Sequence, residues 1–416
     1  MPIVRGPSRD GSGRDPRRVL GARGLRGFCD GLIAVLLPLH FAVLGFGPGG
    51  LGLFASAALS GSALMTLVAG RYAGGIGYRP MLQGAAVLMF CSGVAFVLSD
   101  EMWVLCAIAF VGTLNPSGGD VSVFVPIEHA VLAGSGNVRD RPGLFARYSF
   151  VGTVGAALGA LAAGPVERLA PGGGPGAAFV FYALAGALIF VLYRGLCPFP
   201  IHAAIAAPLG PSRAPIRRLA ALFSLDSLAG GLVLDTLIAA WLYQRFEATA
   251  ALVGVFFFVT RLCSAGSYFV SARLAGRLGL VRTMVFTHLP ANALLVAAAF
   301  APDLGLTLLL LGLRSLLSQM DVPARTAYVM SIVRPEERPA AASFTAVPRS
   351  LAAALSPGIS GWLLGLSPFG WPLVLAGGMK IAYDLTLWRL FRHVEPIESE
   401  SAADSIADNG KPQAER

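Results

Sequence analysis

Charged side chains are scarce in this sequence. Asp, Glu, Lys and Arg make up 13 per cent of its 416 residues, whereas soluble proteins carry about 25 per cent. The five Cys and five His are scattered singly, so their spacing fits neither a zinc site nor a disulfide framework. A P-loop and a nucleophile elbow are also missing from the sequence. We therefore expect no metal site, no cofactor and no catalytic centre.

Apolar residues are abundant instead, at 55 per cent of the chain. They come in blocks of about twenty residues, the length at which a helix crosses a bilayer. A soluble chain of this length would form two or three domains, but the block length favours an all-α integral membrane protein. The blocks predict twelve transmembrane helices, at residues 27–46, 50–71, 81–99, 102–132, 144–164, 177–196, 218–242, 250–271, 283–301, 304–331, 341–365 and 369–390.

Polar segments flank and divide these helices. We expect a cytoplasmic tail at 1–26, a central loop at 197–217 and a second tail at 391–416, which leaves six-helix halves at 27–196 and 218–390. Lys and Arg concentrate in the tails and in the loops on the same side, whereas the opposite loops hold only Arg168 and Arg245. The positive-inside rule therefore predicts that both termini are cytoplasmic. Because the net charge of +9 lies in short clusters between apolar blocks, it indicates contact with a lipid bilayer and no nucleic-acid ligand.

The two halves repeat a pattern of charged residues. Equivalent positions lie about 200 residues apart, and each half carries two acidic residues and one arginine in the same order. A repeat of this size in an apolar chain indicates two equivalent membrane halves. The pairs are Asp30 and Asp226, offset by 196, Asp120 and Asp321, offset by 201, and Arg147 and Arg349, offset by 202.

The segment between the second and third predicted helices carries part of a family signature. It reads Gly70-Arg-Tyr-Ala-Gly-Gly-Ile-Gly77-Tyr-Arg79, and the second half has a related segment that ends at Gly279. Together with the twelve-helix layout, these residues resemble the major facilitator superfamily, and the resemblance covers nearly the whole chain. The acidic residue of the signature is replaced by Gly74, so the cytoplasmic latch to which that residue contributes in the family lacks its carboxylate here.

The resemblance implies a fold and a mechanism. It implies two six-helix pseudo-repeats, alternating access, a monomer, and a small-molecule site lined by helices 1, 4, 7 and 10. Residues near the cytoplasmic helix ends would form a gate, for which we expect Gly70, Gly77, Arg79, Arg147, Arg277, Gly279, Arg325 and Arg349.

Charged residues inside the apolar blocks are candidates for the substrate and proton pathway, because charges at membrane depth usually face a cavity or a bundle interior. Asp120 follows Pro116 and two glycines, an interruption that marks either a transport site or a kink capped by the carboxylate. Arg314, Asp321 and Arg325 would share one face of a continuous tenth helix. We take the pathway to comprise Asp30, His40, Asp120, Asp226, Asp235, Arg261, Arg314 and Asp321.

The partners of these charges are open at this point. Asp226 and Asp235 are nine residues apart on one predicted helix and should point to opposite faces. Arg261 and Arg314 stay protonated, so each needs a carboxylate or an anionic ligand. For both arginines the structural alternative is an ion pair with Asp235, and for Arg314 we favour that pair over an anionic substrate.

Other polar residues in the blocks have structural interpretations. A lone histidine such as His288 is more often packed and hydrogen-bonded than a proton carrier. Lys380 and Asp384 are four residues apart, so they should neutralise each other on the twelfth helix. Glu128 and Arg147 lie at a similar depth and could form another pair.

The sequence thus predicts a plasma-membrane transporter of a small molecule. Proton-coupled efflux is favoured, because burial and a neighbouring arginine can set a carboxyl group to load and release protons near neutral pH. Uptake or exchange of an organic or inorganic anion is the alternative within transport, indicated by Arg261 and Arg314. Alternatives of another class are a non-transporting membrane sensor and a polytopic membrane enzyme; dispersed histidines disfavour the enzyme.

Overall fold

The computed structural model describes residues 14–117, 122–134, 141–169, 174–197, 210, 212–334 and 337–392. Within these ranges the chain forms fifteen α-helices and a short 3-10 helix, Gly174–Gly176, and no strand. The helices are α1 (Arg14–Val43), α2 (Pro48–Ile76), α3 (Tyr78–Leu98), α4 (Met102–Val111), α5 (Phe124–Gly134), α6 (Arg141–Leu169), α7 (Ala177–Arg194), α8 (Arg213–Gly231), α9 (Asp235–Phe246), α10 (Ala250–Leu278), α11 (Leu280–Phe300), α12 (Leu304–Leu317), α13 (Asp321–Ser331), α14 (Arg338–Leu366) and α15 (Trp371–Phe391).

Three pairs of consecutive helices are each one membrane span that is interrupted near its middle. α4 and α5 form span 4, α8 and α9 form span 7, and α12 and α13 form span 10, while each other helix is a span by itself. Fifteen helices less three joins give twelve spans in the described part of the chain. The predicted all-α fold with twelve transmembrane helices is therefore confirmed.

The interruptions have local causes in the sequence. Span 4 leaves the helix at Gly112, and Pro116 in the following segment has no backbone N–H to donate. Span 7 stops after Gly230 and Gly231, which weaken a helix because they lose the most conformational freedom on folding. In span 10, α13 begins with Pro323 in its first turn, where the missing N–H is tolerated.

Two sequence expectations about helix boundaries are wrong. The first helix begins at Arg14, not at residue 27, and Arg23 and Arg26 from the expected tail are buried. The tenth helix is not continuous, so Arg314 lies in the last turn of α12 and Asp321 begins α13. The face that these charges were expected to share does not exist as one helical surface.

Two compact units make up the chain. Unit 1 comprises Met1–Ala203, Gly231–Leu262 and Ala354–Pro372, and unit 2 comprises Ala204–Gly230, Cys263–Ala353 and Leu373–Arg416. The units do not follow the sequence boundary between the halves, because unit 1 includes α9, the first part of α10 and the last part of α14. The predicted domain boundaries at 27–196 and 218–390 remain a prediction.

Close backbone approach holds unit 1 together. A side chain at Gly31 of α1 would collide with the Ala156 carbonyl of α6, and one at Gly159 of α6 would collide with the Phe28 carbonyl of α1. Small residues at such contacts let two membrane helices pack backbone to backbone, which maximises van der Waals contact where lipid supplies no hydrophobic driving force.

Unit 2 has an apolar core of its own. Side chains from α8, α11, α13 and α15 bury one another in it, including Phe223, Met284, Tyr328 and Leu387. Gly279, which precedes α11, has a positive φ of 86°. In unit 1, Gly77 before α3 likewise has a φ of 88°. Both positions need the backbone freedom of glycine.

Candidate functional site

The broken spans 4 and 7 meet in unit 1. The Thr236 hydroxyl, in the first turn of α9, donates a hydrogen bond of 3.1 Å to the Pro116 carbonyl in the interruption of span 4. Beside it, the buried Asn115 side chain accepts hydrogen bonds from the backbone N–H and the hydroxyl of Ser117. The interruption of span 4 and the first turn of α9 therefore bring polar groups together between two membrane spans. Asp120, which belongs to the same interruption, lies outside the described residues.

An ion pair occupies the start of α9. Arg261 of α10 contacts Asp235 at 2.5 Å. The Arg261 side chain is 14 per cent exposed and the Asp235 side chain is 28 per cent exposed. Asp235 is thus paired with Arg261, which is the structural alternative given for this arginine. The pair of Arg314 with Asp235 stays a prediction. The partial exposure leaves both charges accessible to a ligand in the same polar region.

Asp30 on α1 is a half-buried carboxylate of the same unit. It has no salt bridge or hydrogen bond to its side chain within the described residues. The positive charges that act on it are those of Arg23, Arg26 and Arg261. Among the described residues, unit 1 therefore combines an ion pair, Asp235–Arg261, with a carboxylate that is not held by a partner.

A second buried charge network in unit 1 centres on Glu128 of α5. Both of its oxygens accept hydrogen bonds from Arg26 of α1, at 2.9 and 2.5 Å, and each accepts one more, from Tyr193 and Tyr148, at 2.6 Å. Arg26 also lies over the Phe124 ring, 4.2 Å from its centroid. We call these five residues the Arg26–Glu128 network, and it links α1, α5, α6 and α7.

Sequence reasoning missed this network. Arg26 was assigned to a solvated tail because six other arginines precede it, and the suggested pair of Glu128 with Arg147 is wrong, because Arg147 is exposed. The available signal was the spacing of Arg26 and Asp30, which puts an arginine one turn before a membrane carboxylate. That spacing indicates that helix α1 starts earlier than the apolar block.

Asp226 of α8 is the centre of a charge cluster in unit 2. Lys380 of α15 donates to one carboxylate oxygen at 2.6 Å, and Arg325 of α13 lies 3.0 Å from the other. Arg325 also pairs with Asp321, one turn earlier on α13. Arg349 of α14 is half-buried and donates to the Ser227 hydroxyl at 3.2 Å. The structure therefore brings together Asp226, Asp321, Arg325 and Lys380, all less than a tenth exposed.

Helix α15 contributes a second polar contact to unit 2. Its Asp384 accepts a hydrogen bond of 2.9 Å from Asn292 and lies 2.9 Å from the His288 ring nitrogen. The expectation that Lys380 and Asp384 neutralise each other is wrong, because each has its partner on another helix. The expectation that His288 is packed and hydrogen-bonded is met.

The remaining predicted residues have simpler surroundings. His40 packs its ring 4.9 Å from that of Phe179 in unit 1. Arg314 lies half-buried in α12 of unit 2. The predicted gate residues at the helix ends are more exposed: Gly70, Arg147, Arg277 and Gly279 are exposed, and Gly77 and Arg79 are half-buried.

Comparison with known proteins gives a family match for the second half of the chain. The model of the Major Facilitator Superfamily matches residues 219–412, which is nearly the whole second half. This segment therefore carries the sequence pattern of the major facilitator superfamily. The described helices make the chain a multi-pass membrane protein.

Solved structures and a yeast protein are similar to this chain over most of its length. A mutant of the nucleoside transporter NupG has a TM-score of 0.74 at 12 per cent identity, covering 91 per cent of this chain and 100 per cent of that one. A bacterial homologue of the iron transporter ferroportin, in an inward-facing state, has a TM-score of 0.71 at 15 per cent identity, covering 90 per cent of this chain and 98 per cent of that one. The human organic anion transporter MFSD10 has a TM-score of 0.62 at 18 per cent identity, covering 89 per cent of this chain and 99 per cent of that one. The uncharacterized membrane protein YJR124C of Saccharomyces cerevisiae is 24 per cent identical, over 92 per cent of this chain and 95 per cent of its own.

Proposed function

We propose that this carrier is a secondary active transporter of the plasma membrane that exports a small molecule by alternating access in exchange for protons. The observation that supports this most directly is the contact between the broken spans 4 and 7, in which Thr236, the residue after Asp235, donates to the Pro116 carbonyl. Interrupted membrane helices free backbone groups for ligands, and such interruptions mark the midplane sites of transporters.

Asp30 is the carboxylate best suited to carry the proton. It can bind and release a proton without breaking an ion pair, whereas Asp321 and Asp226 are held by Arg325 and Lys380. A proton on Asp30 would change the net charge beside Asp235–Arg261 by one unit. At short range in a medium of low dielectric, that change alters the affinity for a charged ligand. Asp120 remains a further candidate from the sequence.

Second-half helices pack on the first half in unit 1, which supports a closed gate at one membrane face. The Tyr243 hydroxyl of α9 donates to the Val35 carbonyl of α1 at 2.9 Å, and the Ser56 hydroxyl of α2 accepts from the Gly358 N–H of α14 at 2.9 Å. We propose that these contacts break when the carrier alternates, and that the opposite gate comprises Gly70, Gly77, Arg79, Arg147, Arg277, Gly279, Arg325 and Arg349.

Transport of an organic or inorganic anion is the second candidate. Arg261 supports it, because its guanidinium is partly exposed in the polar region of unit 1 and an anionic ligand could replace Asp235 as its partner. The structurally similar human protein MFSD10 is an organic anion transporter, which agrees with this candidate. In this case the direction would be uptake or exchange.

The test is transport into everted membrane vesicles with an acidic interior, with a panel of organic cations, zwitterions, nucleosides and organic anions. We expect wild-type protein to accumulate at least one compound, and Asp30→Asn to lose gradient-driven accumulation but keep counterflow. Asp100→Asn is the matched control, because Asp100 is an exposed carboxylate away from the site. Accumulation by Asp30→Asn at the wild-type level would exclude Asp30 as the proton carrier.

Orientation requires its own measurement. We propose cytoplasmic termini, so reporters fused at the C-tail and within 197–217 should be cytoplasmic, and a reporter near Asp100 should be external. An external C-tail reporter would contradict the proposed orientation. Binding of a compound without flux in the vesicle assay would favour the membrane sensor.

A further inference from the structure

An apolar groove runs along the outer surface of unit 1 between α1, α6 and α7. Its volume is about 550 Å³, and it is lined by Gly, Leu, Val and Phe residues, among them Gly21, Phe28, Val154, Leu158 and Leu192. Leu158 is 48 per cent exposed although it lies within a membrane span, so the groove faces lipid and not the interior of the protein.

Glycine residues of α1 and α6 form part of the groove and also let these two helices pack backbone to backbone. α1 and α6 touch through their backbones, and Gly155 of α6 meets the Gly24 carbonyl of α1 so closely that no side chain fits. α7 stands further away: a methyl group at Gly21 would lie 3.8 Å from Leu192. The missing side chains leave the apolar groove open between α1, α6 and α7.

Two exposed arginines continue the groove at the end near the N-terminus. Arg17 precedes Gly21 by four residues on α1, and Arg147 precedes Val151 by four on α6, so each lies on the same helix face as the groove residues. Gly24 packs on Val151, which sets α1 and α6 side by side at this level. Both arginines are exposed.

The nearby acidic residue does not neutralise this end. Asp15 is fully buried and its carboxylate lies 3.7 Å from Arg18, while Arg18 also donates to the Gly195 carbonyl at the end of α7. Among the described residues, the exposed charge at the mouth of the groove is therefore positive, although the groove itself is apolar.

We propose that the groove binds an anionic phospholipid of the surrounding bilayer, with one acyl chain in the groove and the phosphate between Arg17 and Arg147. An acyl chain suits an apolar groove that faces lipid, and a basic side chain at the membrane surface attracts acidic headgroups. If the termini are cytoplasmic, as proposed above, the site faces the leaflet that is rich in acidic lipids. The lipid would brace the α1–α6 contact from outside.

The test is native mass spectrometry of the full-length protein purified in detergent with equal amounts of phosphatidylglycerol and phosphatidylcholine of identical chains. We expect preferential retention of one phosphatidylglycerol, by about fivefold for each arginine. Arg17→Gln/Arg147→Gln should lose the preference, and Arg71→Gln/Arg273→Gln, which removes two exposed arginines elsewhere, should keep it. Equal retention of both lipids by wild type, or an unchanged preference in Arg17→Gln/Arg147→Gln, overturns the proposal.

A second measurement locates the lipid and does not depend on the arginine variants. Phe150 lines the groove and is 58 per cent exposed, so Phe150→Trp introduces a reporter. In vesicles of phosphatidylcholine with a small fraction of brominated phosphatidylglycerol, its fluorescence should be quenched more than that of Leu184→Trp, a lipid-facing position on α7 outside the groove. Equal quenching at the two positions would show bulk lipid only and overturn the site. Neither readout requires transport, so failure here leaves the proposed function intact.

Discussion

Replacing Glu128 by Gln should destabilise the protein strongly, because the Arg26–Glu128 network is a fully desolvated ion pair. The Arg26 side chain is 5 per cent exposed and that of Glu128 is not exposed. Glu128 accepts four hydrogen bonds, two from Arg26 and one each from Tyr148 and Tyr193. The neutral amide keeps one acceptor oxygen and turns an N–H group toward these donors, which leaves the guanidinium charge without compensation. Breaking a buried pair in this way costs about 3–5 kcal/mol.

The double variant separates the ion pair from general damage. Arg26→Met should cost a similar amount, about 3–5 kcal/mol, because it leaves the Glu128 carboxylate with only two tyrosine donors. Arg26→Met/Glu128→Gln removes both charges and retains an acceptor for the tyrosines, so its loss should be smaller than the sum of the single losses by at least about 2 kcal/mol.

The assay is equilibrium unfolding of purified protein in mixed micelles with a rising fraction of denaturing detergent, followed by circular dichroism. Arg71→Gln is the control, because Arg71 is exposed and such a substitution should change the free energy of unfolding by no more than about 0.5 kcal/mol. Losses below about 1 kcal/mol for the single variants, or additive losses in the double variant, would refute the reasoning.

Two further predictions concern unit 2. Lys380→Met removes one of the two cations that contact Asp226, so the free energy of unfolding should fall by about 2 kcal/mol in the same assay. An unchanged free energy of unfolding would contradict a stabilising role of the Lys380–Asp226 contact. Glu337, before α14, has a pKa lowered by the hydrogen bond from Ser212. Its contribution to stability is therefore fully present above the ordinary pKa of about 4.3 and is lost as pH falls through the lowered value. Glu337→Gln should therefore lower the thermal midpoint more at about pH 7 than at about pH 3. An equal effect at both pH values would contradict this linkage.

The span pattern could be predicted from the sequence because it depends on local properties. Each apolar block of about twenty residues predicts one helix that crosses the bilayer. Pro116 marks the interruption of span 4 because it lacks a backbone donor. The interruption of span 7 was missed, although Gly230 and Gly231 are adjacent. Two glycines weaken a helix without forbidding it, so tertiary packing decides whether the helix ends there.

The pairing of buried charges could not be predicted, because spacing along one helix shows only neighbours on that helix. Lys380 and Asp384 satisfy the spacing rule, yet Asp226 on α8 and His288 on α11 are their partners. In a protein interior, a charge pairs with whichever opposite charge the packing of helices brings into contact. Arg26 was missed for a related reason: a helix that enters the membrane early buries residues that composition alone assigns to a tail.

Asp30 and Asp321 offer a comparison that links stability to coupling. Asp321 is 2 per cent exposed and contacts Arg325, so Asp321→Asn leaves Arg325 with Asp226 as its remaining carboxylate in the cluster and should cost about 1–3 kcal/mol. Asp30 has no such contact within the described residues, so Asp30→Asn should change the free energy of unfolding by less than about 0.5 kcal/mol while it removes gradient-driven transport. A carboxylate that is free to titrate can be neutralised without loss of fold, whereas one that holds an arginine cannot. If Asp30→Asn destabilises the protein as much as Asp321→Asn does, then Asp30 has a structural partner and the proton must be carried elsewhere.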